Sequence, residues 1–358
     1  MDVGNHPALV RARDRHRLAW SDDATEQHYL ARCRRGGLLV SPIRHAFALP
    51  DEWRELSDAE RTNRIIFTVA DMHPEYVFSS TTAAYLLGLD DSYALQRRVH
   101  VARSRGAAVS KPDHGLVHVH TVLDPARDLA DLREAQGCRV LHPERVLLDC
   151  ARDLRFSESL PIWDAAFREG LVDPGSMKAF MDRCSELQRR TPGIRLARLL
   201  LKYASGRSEN GGESRARAAM LELGFAAPEV QCTFRDPSTR REIRPDFLWR
   251  VASGRTIAGE LDGMRKYKDE SMRGGRDVED VLIREKDRET ALNMLGILVV
   301  RFGMSDVYDR VALQNKLAAI GVPHVDDGTM TERMFLREWR GQHYPASDIL
   351  ARRGLGTE

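Results

Sequence analysis

Apolar positions recur along this chain with two periods. Residues 24–35, ATEQHYLARCRR, carry Tyr29, Leu30 and Cys33 at helical spacing and run into Gly36-Gly37, a helix stop. The next stretch, LLVSPIRHAFALP, predicts two short strands, Leu38–Val40 and His45–Leu49, joined at Ser41-Pro42. After the acidic DEWRELSDAER, helical patterning resumes at Ile65–Ala70 and again in FSSTTAAYLLGL. There Ser79, Ser80 or Thr81 can cap a helix beginning near Thr82 that ends at Gly88. Period two takes over in RRVHVARS and GLVHVHTVL, which read as strands. From His142 the chain is helical to about Ser205, with Val146, Leu147, Cys150 and Ala151 on one face. The polar, glycine-rich loop SGRSENGG at 205–212 is the best domain boundary.

Beyond that loop the order is α-β-β-β-α-β. Glu213–Leu223 predicts a helix stopped by Gly224, and Glu229–Arg235 a strand. A turn at Asp236-Pro237-Ser238 leads to a strand within Glu242–Arg250, and Ser253-Gly254 turns the chain into a third strand, Arg255–Asp262. A charged helix from Val278 to Leu295 ends at Gly296, ILVVRF makes an apolar strand, and Asp306–Ile320 a last helix. The segments expected are 1–55, winged-helix-like; 56–205, mixed and then helical; 206–322, the αβββαβ domain; and 323–358, a basic tail.

Composition adds limits rather than a function. At 358 residues, 42% hydrophobic and 30% charged, the chain should be globular. A net charge of +2 neither requires nor excludes nucleic acid, because binding depends on local patches. Five scattered cysteines without a CxxC pair argue against a zinc knuckle and for reduced thiols in a cytosolic protein. The first residues lack the apolar core of a secretory signal, and no run approaches the ~18 apolar residues of a membrane helix.

Two constellations carry candidate chemistry. A helix followed by a hairpin is the winged-helix pattern, in which the helix enters the major groove and the hairpin touches the backbone. Arg32, Arg34, Arg35, Arg44 and His45 would then contact DNA; the alternative is a solvated face of a small domain. In the C-terminal region Glu260 and Asp262 stand two apart on one strand, like charges that should repel. Asp246, 14 positions before Glu260, can reach it across a hairpin, and Glu213 begins the preceding helix. Converging carboxylates suit magnesium, which can activate water for phosphodiester hydrolysis. The alternative is a turn device at Pro245-Asp246 and a strand end running into water. His118 and His120 share a strand face and could ligate a metal, but with no third ligand at a telling spacing they read as exposed.

Two resemblances sharpen this. Glu213, Pro245-Asp246 and Glu260-Leu261-Asp262 in the αβββαβ order resemble the PD-(D/E)XK nuclease superfamily. The tail Asp262-Gly263, Lys266-Tyr267, Glu285-Lys286, Arg288-Glu289, Leu292, Gly296 and Val300-Arg301-Phe302 looks like its very-short-patch-repair and DUF559 branch. The resemblance implies that Asp246 and Glu260 hold magnesium or manganese, with Glu213 as a further ligand. The superfamily's lysine would fall at Asp262 and is absent, so Lys266 or Lys286 would supply the cation. Asp262 and Glu285 would shape the site, and Arg288 would contact a phosphate or pair with a carboxylate. CRRGGLLVSPIRHAFALP, FSSTTAAYLLGL and LHPERVLLDCARDL resemble AbiEi-type antitoxins of actinobacteria. That implies an operator-binding winged helix, DNA as partner and a cognate toxin protein. The expectation is therefore a DNA-binding protein with a metal-dependent endonuclease-like domain, or an antitoxin-like repressor whose nuclease fold is inactive.

Overall fold

The computed structural model describes residues 3–89, 93–96, 98–104, 116–122, 124–188, 190–262 and 278–325, with the side chains of all of these but 278–285. The chain is mixed α and β. It forms two compact units, one of residues 3–153 and 175–197, the other of residues 154–174 and 198–325. The polar loop at 205–212 is thus not where the chain first enters the second unit. A helix upstream of it, Phe156–Arg168, already belongs there.

The first unit begins with helices α1 (Pro7–Asp14) and α2 (Ala24–Arg35). Asp23 caps α2, its carboxylate accepting the Glu26 N–H at 2.7 Å. An antiparallel hairpin follows, β1 (Val40–Ile43) and β2 (Ala46–Ala48). Its turn is at Arg44-His45 rather than Ser41-Pro42, with His45 left-handed at φ 64°. Pro42 lies inside β1, where the register is irregular between Val40 and Ile43, a position that tolerates a missing N–H. The Gln27 amide donates to the His45 carbonyl at 2.8 Å, tying α2 to the hairpin tip. Helices α3 (Pro50–Glu55) and α4 (Asp58–Met72) come next, the latter opened by a capping box between Ser57 and Glu60.

A five-stranded sheet completes this unit: β3 (Val77–Phe78), β4 (Val99–Arg103), β5 (Val117–Thr121), β6 (Arg133–Ala135) and β7 (Cys138–Val140), in the order β5-β4-β3-β7-β6. The two alternating runs become β4 and β5, paired in parallel. Helix α5 (Ser80–Leu86) packs on β4 and β7, and against the long helix α7 (Pro143–Asp153); a short helix α6 (Pro125–Asp128) precedes β6.

In the second unit, helices α8 (Phe156–Arg168) and α11 (Gly211–Glu222) pack together; between them in sequence come α9 (Pro174–Leu187), which belongs to the first unit but for Pro174, and α10 (Ile194–Tyr203), which belongs to the second from Arg198. The expected strand Glu229–Arg235 is broken by Gln231 at φ 59° into β8 (Glu229–Val230) and β9 (Phe234–Arg235). The next is broken into β10 (Glu242–Ile243) and β11 (Phe247–Arg250), flanking Pro245, which has no N–H for a ladder. β9 and β10 form a small hairpin, while β13 (Ile297–Gly303), β12 (Thr256–Asp262), β11 and β8 form the main sheet in that order. β12 is antiparallel to β11 and parallel to β13, with the helix Val278–Met294 preceding β13. The expected last helix is two, Met304–Tyr308 and Arg310–Ile320, because Asp309 caps the second through Val311 and Ala312 N–H groups at 3.1 Å. Phe247, Trp249, Ile257 and Phe302 anchor the core, with the Phe247 and Phe302 rings stacked at 5.9 Å. A side chain at Gly259 would come within 3.1 Å of the Trp249 ring and 3.3 Å of Phe247, so glycine there lets the aromatic layer close.

Candidate functional site

The register of β11 and β12 assembles the carboxylates. Phe247 pairs with Gly259, so Asp246, one residue earlier, stands beside Glu260. Asp246 Oδ2 accepts the Leu261 N–H at 2.8 Å, which fixes the aspartate across the strand end. Glu260 Oε2 accepts from the Arg288 guanidinium at 2.5 Å, and the same nitrogen lies 4.0 Å from Asp246 Oδ1. Arg288 also donates to the Arg244 carbonyl at 2.8 Å. Two residues along, Asp262 Oδ1 pairs with Arg301 of β13 at 2.5 Å. The like charges on this strand are therefore each answered by an arginine, from a different element.

The match at Glu260 is incomplete. Its pair with Arg288 uses one oxygen and one nitrogen, leaving Glu260 Oε1 and Arg288 Nε buried and without hydrogen-bond partners among the described residues. Burial pushes the Glu260 carboxyl up to about 7, with Arg288 opposing and Asp246 adding to the shift. A cleft lined by Asp246, Glu260, Asp262, Arg288, Glu289 and Arg301 opens at this point.

Other expected site residues are placed differently. The Glu213 carboxylate accepts the Glu209 N–H at 2.7 Å and the Asn210 amide at 2.6 Å, while Asn210 caps α11. These bonds close the loop that enters α11. Lys286 is exposed on the helix Val278–Met294. Lys266, the Glu285 side chain and the tail from 326 lie outside the described residues. Arg301, which sequence reasoning placed only within a matched run, turns out to be the partner of Asp262.

In the first unit, Arg32, Arg34, Arg35, Arg44 and His45 are all exposed, three on α2 and two at the hairpin tip. Arg32 lies over the Tyr29 ring at 5.5 Å, and Arg44 Nε donates to His45 Nε2 at 3.0 Å.

His118 and His120 do not share the exposure expected of them. His120 is 1% exposed, while His118 is half-buried. His118 pairs with His100 of β4 in register, so three imidazoles share one sheet face. Among the described residues, His100, His120 and Asp153 form a group of ligand atoms all within 4.8 Å of one another; Asp246, Glu260 and Glu213 do not. His100 and Asp153 escaped sequence reading because they lie on other elements. The V-H-V pattern shared by β4 and β5 was the available signal.

No family model matches the chain. It is 27% identical over 201 residues to the uncharacterised proteins MT2308 and Rv2248 of Mycobacterium tuberculosis, covering 56% of this chain and 67% of each relative. Among solved structures, the crystal structure of the Rv2827c protein of Mycobacterium tuberculosis is similar at a TM-score of 0.38 and 16% identity, covering 67% of this chain and 90% of that one. No helix among the described residues is long and apolar enough to cross a membrane.

Proposed function

We propose that this chain binds duplex DNA through α2 and the β1–β2 hairpin and hydrolyses phosphodiester bonds at Asp246 and Glu260 with magnesium or manganese. The observation that carries the catalytic half is Glu260 Oε1, a buried carboxylate oxygen beside a second carboxylate, with no hydrogen-bond partner among the described residues. Buried polar atoms are nearly always partnered, and an exception at a cleft suits a site that takes up a cation. Asp246 and Glu260 supply the hard oxygen donors the ion prefers. Bound there, the ion would supply an activated water and charge stabilisation for the leaving oxygen. Arg288 would pass from Glu260 to a DNA phosphate, a geometry guanidinium groups favour. The exposed arginines of α2 and the hairpin tip would hold the duplex backbone.

A second reading has its own support. Asp262 occupies the place of the superfamily's lysine and Arg288 already answers Glu260, which fits a nuclease fold that no longer cleaves and a repressor-like role. One experiment separates the two: manganese calorimetry and DNA cleavage, wild type against Asp246→Ala. Manganese binding and cleavage that the substitution removes support the enzyme. Absence of both in the wild type with DNA present rejects it. The repressor reading then requires salt-dependent DNA binding that Arg34→Glu with Arg35→Glu weakens at least tenfold.

A further inference from the structure

A second cluster, in the first unit, has a different donor chemistry. His100 comes from β4, His120 from β5 and Asp153 from the last position of α7. His100 Nδ1 lies 2.7 Å from His120 Nε2, and Asp153 Oδ2 lies 3.6 Å and 3.5 Å from those two nitrogens. We propose that His100, His120 and Asp153 bind a divalent transition-metal ion of the zinc class, with Ser80 positioning the carboxylate.

The donor set decides the class of ion. Two imidazole nitrogens and one carboxylate oxygen suit zinc, cobalt or nickel, whereas magnesium and calcium prefer oxygen throughout. The spacing fits as well. Zinc with ligands at ~2.0–2.1 Å sets tetrahedral donor atoms roughly 3.3 Å apart. The carboxylate oxygen already stands near that distance from both nitrogens. The short nitrogen–nitrogen contact needs only a small opening.

Without an ion the cluster is poorly satisfied. A proton between His100 Nδ1 and His120 Nε2 accounts for their contact, but it leaves Asp153 Oδ2, 3.6 Å and 3.5 Å from those nitrogens, without a good hydrogen bond to either ring. A sheet interior built only for packing has no need of a buried imidazole pair beside a carboxylate.

The carboxylate is held from outside, as metal-binding carboxylates are. The Ser80 hydroxyl donates to Asp153 Oδ2 at 2.6 Å, and Arg152 Nε donates to Oδ1 at 3.1 Å. Ser80 is fully buried and left-handed at φ 48°, a conformation that costs a non-glycine residue on the order of 1–3 kcal/mol. That strain aims the hydroxyl from the β3–α5 junction onto Asp153. The fourth position is left to water or to His118, whose ring centroid is 4.6 Å from that of His120 and 5.4 Å from that of His100.

The test uses untagged full-length protein carrying Glu260→Gln, which removes the other cation site. After chelator treatment it is titrated with cobalt(II), followed by visible absorption and by thermal melting with zinc. The expected result is one equivalent of cobalt with the intense visible bands of a four- or five-coordinate ion, displaced by zinc, and a zinc-dependent rise in melting temperature. His120→Gln should abolish binding. Ser80→Gly, which drops the hydroxyl and relaxes the backbone, should weaken it about 10–100-fold. Folded protein that binds no cobalt overturns the site. So does an affinity unchanged by Ser80→Gly, which decides alone should His120→Gln not fold.

Discussion

Asp164 is a buried carboxylate and Glu260 a partly buried one, both in the second unit and both answered by an arginine. They differ in how completely. Asp164 on α8 accepts from the Ser205 N–H at 2.9 Å, the Ser208 hydroxyl at 3.3 Å, the Ser214 hydroxyl at 2.6 Å and Arg217 at 2.6 Å. Glu260 has Arg288 on one oxygen and, among the described residues, no partner on the other. A full set of donors makes Asp164 a fastener: it joins α8, the 205–208 loop and α11. The unfilled oxygen leaves Glu260 with unspent capacity, and it alone of the two opens to a cleft. Within one unit, the completeness of hydrogen bonding separates a structural carboxylate from a candidate functional one.

The largest effect that contrast predicts is at Asp164. Asp164→Ala removes the carboxylate partner of Arg217, itself 5% exposed, and the carboxylate acceptor of two serine hydroxyls. Breaking such a pair costs about 3–5 kcal/mol. For a unit of this size that is a fall of roughly 10 °C in melting temperature. A melt within two degrees of wild type would mean that the network is not what holds α8 to α11.

Glu260 should behave in the opposite sense. Its folded pKa, about 7, lies above the ordinary 4.5. Between those values the folded state holds a proton that the unfolded state has released. Stability from this group is thus fully present below about 4.5 and declines as pH rises through 7. In chelator, wild type should lose on the order of 1–3 kcal/mol more than Glu260→Gln between pH 4.5 and pH 8. Denaturant melts at several pH values measure the difference. Parallel pH profiles for the two proteins would contradict the burial-driven shift.

Ala24–Arg35, the parallel pair β4–β5, β12 and the helix from Val278 follow local periodicity and were legible as elements. The Asp246–Glu260 juxtaposition was legible because hairpin pairing converts sequence spacing into register. The breaks at Gln231 and Asp309 were not, since each depends on one residue's backbone angles or on a cap that competes with helix continuation. Tertiary partners were the least legible. Nothing local marks Arg301 for Asp262, Arg217 for Asp164, or Asp153 for His100 and His120. Those pairings arise from parallel strands and packed helices that bring distant segments together.

The smallest change in stability, and the sharpest for function, is expected at Arg288. Arg288→Met keeps most of the apolar stem and removes the guanidinium that holds Glu260 and approaches Asp246. The two carboxylates then face each other without a cation. Because Glu260 can take up a proton, the cost should be limited to about 1 kcal/mol at pH 7. Manganese tells more. If Arg288 stands in for an ion in the DNA-free state, its removal takes away both a competitor and a repelling charge. Manganese affinity without DNA should then rise several-fold, while cleavage falls because the phosphate contact is gone. If Arg288 is a permanent fastener like Arg217, the variant should bind no manganese and melt several degrees lower. The first outcome keeps Glu260 apart from Asp164 as a site, and the second makes the two carboxylates alike.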